Sequence, residues 1–145
     1  MTRARMLIAA IAITTLASAA PTLAGKAGDP LDGKTFDVRL VMGDNKTDPD
    51  QLIFTSGTFE STACRAHQFT AAEYRATKEK DGIRFEATTS SPSEGTILWS
   101  GIVHGKHVEG TMTMTNPKGE IRSATFHGEQ AGEPSHAMKH ASGGR

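Results

Sequence analysis

Thr96-Ile97-Leu98-Trp99-Ser100-Gly101-Ile102-Val103-His104-Gly105-Lys106-His107-Val108-Glu109-Gly110-Thr111-Met112-Thr113-Met114 reads as two alternating runs joined by a two-residue turn. Ile97, Trp99, Gly101 and Val103 share one parity, and Val108, Gly110, Met112 and Met114 share one parity on the other side of the turn. Period two over such a length is the signature of a half-buried strand, and a Gly-x loop is a hairpin turn that fixes register. The register sets His104 against His107, Val103 against Val108, Gly101 against Gly110 and Trp99 against Met112, so both apolar sets fall on one face.

Two further turns extend the pattern. Ser56-Gly57 places Phe54 across from Phe59, with Leu52 on the same side. Asp81-Gly82, read as a two-residue loop, pairs Lys80 with Ile83 and Ala76 with Ala87. Tyr74, Ala76, Ile83, Phe85 and Ala87 then share one face, while Glu79 opposite Arg84 and Arg75 diagonal to Glu86 form the charge pairs of a solvated one. Phe36, Val38, Leu40 and Met42 alternate in a first strand, which the polar loop Gly43 to Asp50 ends. Asn116-Pro117-Lys118-Gly119 has the pattern of a type I turn. The final strand carries Ile121 on one parity and Ala124 and Phe126 on the other, which predicts a bulge between them.

About eight strands result, at 35–42, 51–55, 58–61, 72–80, 83–89, 96–104, 107–115 and 120–128. Residues 63–70 fit none of them and read as a short helical turn or loop crossing one mouth. An antiparallel meander with one apolar face hides that face and its edges by closing. The expected fold class is therefore all-β: an eight-stranded antiparallel up-and-down β-barrel, with a β-sandwich as the alternative.

At 145 residues the chain has room for one such domain. Sixteen basic and sixteen acidic residues give no net charge, which excludes the basic footprint of a nucleic-acid binder. Residues 1–24 read as a signal peptide: Arg3 and Arg5 precede an apolar run from Met6 to Ala19, and Ala-x-Ala-like cleavage sites follow. At about 14 residues the run is shorter than the roughly 20 needed to span a bilayer, so no membrane span is expected after cleavage. The protein is expected to be secreted or periplasmic, with a barrel over 31–129 and a disordered tail over 130–145 that carries His136 and His140.

A leader followed by an eight-stranded meander that opens Leu31-Asp32-Gly33-Lys34-Thr35-Phe36 resembles the calycin group, the lipocalins, avidins and similar barrels. Their first strand carries Gly-x-Trp; here Gly33 stands one residue further from the aromatic, and Phe36 replaces Trp, so the resemblance is one of architecture. It implies a barrel that binds a small, often apolar molecule in its lumen or mouth.

Small residues facing small ones, Gly101 with Gly110 and Ala76 with Ala87, predict space in the lumen. Trp99, Tyr74, Phe54, Phe59 and Phe85 are the candidate ligand-binding rings around Gly101 and Gly110. The alternative function is metal binding. His104 and His107 flank a turn with Cβ atoms roughly 4.5–5.5 Å apart, and Cys64-x-x-His67 has half of a zinc or copper motif. The same Cys–His pair is the one candidate nucleophile. Met112-x-Met114 suits Cu(I) but alternates into the core. The loop from Asp44 to Asp50 lacks the spacing and terminal glutamate of a calcium site. With no paired-carboxylate motif, no triad signature and no phosphate loop, the sequence predicts a protein that is not an enzyme and has no cofactor.

Overall fold

The computed structural model describes residues 29–132, so the expected leader and the tail beyond Gly132 lie outside the described residues. Eight strands follow one another: β1 (Thr35–Val41), β2 (Thr47–Thr55), β3 (Thr58–Ser61), β4 (Ala72–Glu79), β5 (Gly82–Ser91), β6 (Gly95–His104), β7 (His107–Thr115) and β8 (Ile121–Gln130). A 3₁₀ turn, Ala63–His67, lies between β3 and β4. Each strand pairs antiparallel with the next, and β8 returns to β1 from Phe36 against Gln130 to Val41 against Thr125, so the meander closes into a barrel.

The connections gather at two ends. At one end lie the tight turns 56–57, 80–81 and 105–106, together with the entry segment 29–34. At the other lie 42–46, the crossing 62–71, 92–94 and 116–120. These are called the turn end and the cap end below.

The central hairpin holds the register expected of it, His104 against His107 through Gly101 against Gly110 and Trp99 against Met112. Ser56 and Gly57 both have positive φ, which suits the right-handed twist of their hairpin, and Phe54 faces Phe59. The β4–β5 hairpin departs from expectation by two residues. Glu79 faces Gly82 and the loop is Lys80-Asp81, so Ala76 faces Phe85, Tyr74 faces Ala87, and Arg75 stands directly opposite Glu86. Glu79 reaches Arg84 on the diagonal, at 2.7 Å. Gly82 is not a turn glycine at all: a Cβ there would sit 2.3 Å from the Val103 carbonyl oxygen, so it is the close approach of β6 that demands glycine.

Two other expectations are corrected. β2 resumes at Thr47, within the stretch read as loop, and includes Pro49 opposite Arg39. Proline is tolerated there because β3 joins β2 only from Leu52 on, leaving that half of β2 with β1 as its one paired neighbour among the described residues. β8 carries no bulge, since its pairing with β7 runs unbroken from Thr115 against Ile121 to His107 against Glu129. Parity follows the buried Ala124 and Phe126, and Ile121 is left 68% exposed.

Candidate functional site

Two rows of side chains cross the inner wall. Phe85, Gly101, Gly110 and Phe126 form one, in the order large, small, small, large; Tyr74, Ala87, Trp99, Met112 and Ala124 form the other. The space expected beside the glycines is taken by the rings at the ends of their own row. A Cβ on Gly101 would meet the Phe85 ring at 2.7 Å, and one on Gly110 would meet Phe126 Cζ at 2.5 Å. Phe36, Phe54, Phe59, Tyr74, Phe85, Trp99 and Phe126 are all buried. Their centroids form a connected set of contacts from 5.0 Å, for Phe54 with Tyr74, to 6.3 Å, for Phe85 with Phe126, within the range of favourable edge and offset packing. The candidate ligand rings therefore lie together in the lumen, packed against one another.

At the cap end the sequence missed a buried carboxylate. Asp50 Oδ1 accepts hydrogen bonds from the backbone N–H of Gln51 at 2.7 Å, from that of Ala63 at 2.8 Å and from the Thr62 hydroxyl at 3.2 Å, while Oδ2 accepts from the Ser61 hydroxyl at 2.5 Å. It thus satisfies donors at the start of the 3₁₀ turn from 13 residues away, where no local capping pattern announces it. Ser91 completes the closure by donating to the His67 carbonyl at 2.7 Å. Cys64 is buried under this turn, and burial pushes its thiol pKa up against the lowering effect of Ser61. A protonated, covered thiol is a poor nucleophile.

His104 and His107 are at the turn end, opposite Cys64 and His67, so the four candidate ligands fall into two separate pairs. Even the cross-strand pair is drawn apart. His104 Nδ1 contacts the Asp81 carbonyl on the β5 side, whereas His107 Nδ1 leans toward the Glu129 carboxylate on β8, 3.9 Å away. Among the described residues no three His, Cys, Asp or Glu side chains are grouped to hold a metal ion. The turn end also contains Tyr74, whose hydroxyl is buried and has no hydrogen-bond partner among the described residues. Burial, then the nearby Asp29 and Asp32 carboxylates, hold its ionisation above the ordinary phenol range. From Gly43 to Lys46 the chain is a solvated turn, in which Lys46 pairs with Asp44 at 2.9 Å and lowers that carboxyl's pKa, while Thr47 and Asp48 already pair with β1.

The outer wall carries a groove of about 530 Å³ across β5 to β8. Two adjacent rows meet in it: Arg84, Ile102, Glu109 and His127 from one, with Ile102 standing between the cation and the anion, and the hydroxyl row Ser100, Thr111 and Thr125 from the next. Arg84 is held from the side by Glu79, Nε to Oε1 at 2.7 Å and Nη2 to Oε2 at 3.2 Å, which fixes the guanidinium at the groove's edge. The groove thus presents a cation, an anion, an imidazole and three hydroxyls around the Ile102 side chain on a rigid sheet. Hairpin periodicity predicts that these residues point outward, but only the strand-to-strand register aligns them.

No protein-family model, curated protein or solved structure matches this chain. What the fold itself establishes is an eight-stranded closed antiparallel barrel, an architecture consistent with the calycin group. No helix among the described residues is long and apolar enough to cross a membrane.

Proposed function

We propose that this chain is an exported, non-catalytic binding barrel that holds a small polar molecule in the groove outside β5 to β8. The observation that carries the reading is the meeting of Arg84, Glu109 and His127 with Ser100, Thr111 and Thr125 around one concavity. Small-molecule sites combine a preformed concavity with a few convergent polar groups. The packed rings of the lumen favour a site on the outer wall over one inside, where lipocalin-like barrels bind. Mixed charge beside hydroxyls favours a zwitterionic or polyhydroxy ligand over an apolar one. The covered Cys64 thiol and the separation of the candidate histidines support a binding role without group transfer.

Native mass spectrometry of the protein purified from its own host tests the proposal directly. A retained small molecule that disappears in Glu109→Ala and His127→Ala, with the fold intact, is the expected result. Retention indifferent to both changes but lost on Phe85→Leu would return the site to the lumen. A chain that retains nothing and shows no thermal shift with sugars or amino acids would remove the binding role.

A further inference from the structure

The barrel's seam at β3 and β4 is short. β3 faces β4 at two residue pairs, Thr58 with Glu73 and Phe59 with Ala72, beyond which β4 continues to Glu79 with β5 as its one paired neighbour among the described residues. The Tyr74 N–H donates to the Gly57 carbonyl across the seam at 3.4 Å. Because backbone groups alternate sides along a strand, Ala76 and Lys78 turn their N–H and C=O toward the same side, where β3 has ended. An edge of this kind is a template for another strand.

We propose that this edge pairs with the same edge of a second copy of the chain, antiparallel about a two-fold axis at Thr77. In that register Ala76 faces Lys78 of the second copy and Lys78 faces its Ala76, which satisfies the exposed backbone groups of both. On the outer face Arg75 stands against Glu79 of the second copy, and the symmetry repeats the contact. Of the two-fold positions along the edge from Arg75 to Glu79, Thr77 alone sets opposite charges against each other; an axis at Lys78 opposes the two lysines, and one at Arg75 opposes the two arginines. Lysines on an edge ordinarily guard against pairing, yet here each Lys78 meets an alanine. A self-complementary patch is what an isologous dimer requires. The interface is one strand wide, so the association is weak and reversible.

Sedimentation velocity of the leader-free chain over rising concentration tests this. The expected result is a monomer–dimer equilibrium. Arg75→Glu and Glu79→Arg, each alone, set like charges at both symmetric contacts and weaken dimerisation roughly tenfold or more. An equimolar mixture of the two variants makes both contacts opposite in sign again and recovers the dimer. Within one chain, by contrast, Arg75 faces Glu86 and Glu79 holds Arg84, and mixing does nothing to repair those pairs, so recovery reports contact between copies. If a charge reversal fails to fold, Arg75→Gln and Glu79→Gln, compared with wild type, read the same contact through a smaller loss. A wild-type chain that stays monomeric, or a mixture that associates no better than its components, overturns the proposal. It is equally overturned if a chain beginning at Asp29 dimerises and the longer one does not, since residues before Asp29 then cover the edge.

Discussion

Replacing Gly110 with alanine probes whether the lumen is filled where the sequence suggests it is empty. The new methyl would lie 2.2 Å from the Ser100 carbonyl oxygen, 2.5 Å from Phe126 Cζ and 2.6 Å from the Gly101 Cα. Two of those three atoms are backbone and cannot swing aside, so the β6–β7 pair has to separate locally or bend. The same change at Gly101 meets the Phe85 ring at 2.7 Å and a backbone oxygen, that of Glu109, at 2.9 Å. A ring yields more readily than a ladder. Overpacking a core costs about 1–3 kcal/mol and sometimes more, while loss of a glycine favours the folded state by about 0.4–1 kcal/mol through the unfolded chain. The expected net destabilisation is about 1–2 kcal/mol for Gly101→Ala and at least about 3 kcal/mol for Gly110→Ala. Urea unfolding followed by the emission of Trp99, the chain's one tryptophan, measures both. For a domain of about 100 residues each kcal/mol appears as a fall of roughly 4–8 °C in Tm. If both variants lie within about 0.5 kcal/mol of wild type, the rings do not fill the glycine row, the lumen has room for a ligand, and the case for an outer site fails.

Tyr74→Phe is expected to leave stability unchanged or raise it by up to about 1 kcal/mol, because it deletes a buried hydroxyl that meets no geometrically formed hydrogen bond among the described residues and lies beside the Asp29 carboxylate. The phenol's folded pKa is raised, so its contribution is complete below the unfolded value near 10 and is lost as pH climbs above it. Cys64, shifted the same way, begins its own loss at lower pH, and only the component above about pH 10 should vanish in the phenylalanine variant. Tyr74 is the chain's one tyrosine, and phenolate absorbance during alkaline unfolding therefore reports this site alone; ionisation in the folded barrel at the ordinary phenol pKa would refute its burial. Asp50→Ala should destabilise by about 2–4 kcal/mol, since it strips the acceptor from the Ala63 N–H and the Ser61 hydroxyl. It should also speed reaction of Cys64 with a thiol reagent as the 3₁₀ turn loosens, and equal labelling rates in variant and wild type would separate Asp50 from that turn.

What the sequence discloses here is governed by range. Ile97 to Met114 fixes its own register because the turn and both strands lie within twenty residues, and the rule of two then places every side chain. The lumen needs one step more. Gly101 facing Gly110 looks like a gap when β6 and β7 are taken as a pair, and closes when β5 and β8 bring Phe85 and Phe126 into the same row. Asp50 is hidden for the same reason: apart from the adjacent Gln51 N–H, its partners are 11 to 13 residues away, at the end of β3 and in a turn with no capping pattern of its own. Asp81-Gly82 misleads in a different way. The dipeptide has the composition of a tight turn, but its glycine answers to the Val103 carbonyl on a third strand, and the loop slides by one residue at each end. That slide preserves parity: it brings Arg75 from the diagonal to a place directly opposite Glu86 and moves Glu79 from directly opposite Arg84 to its diagonal, so both ion pairs survive it. The outer groove rests on the registers from β5 to β8 and the β4 edge on its own alternation, and both therefore stand whichever two residues make the turn.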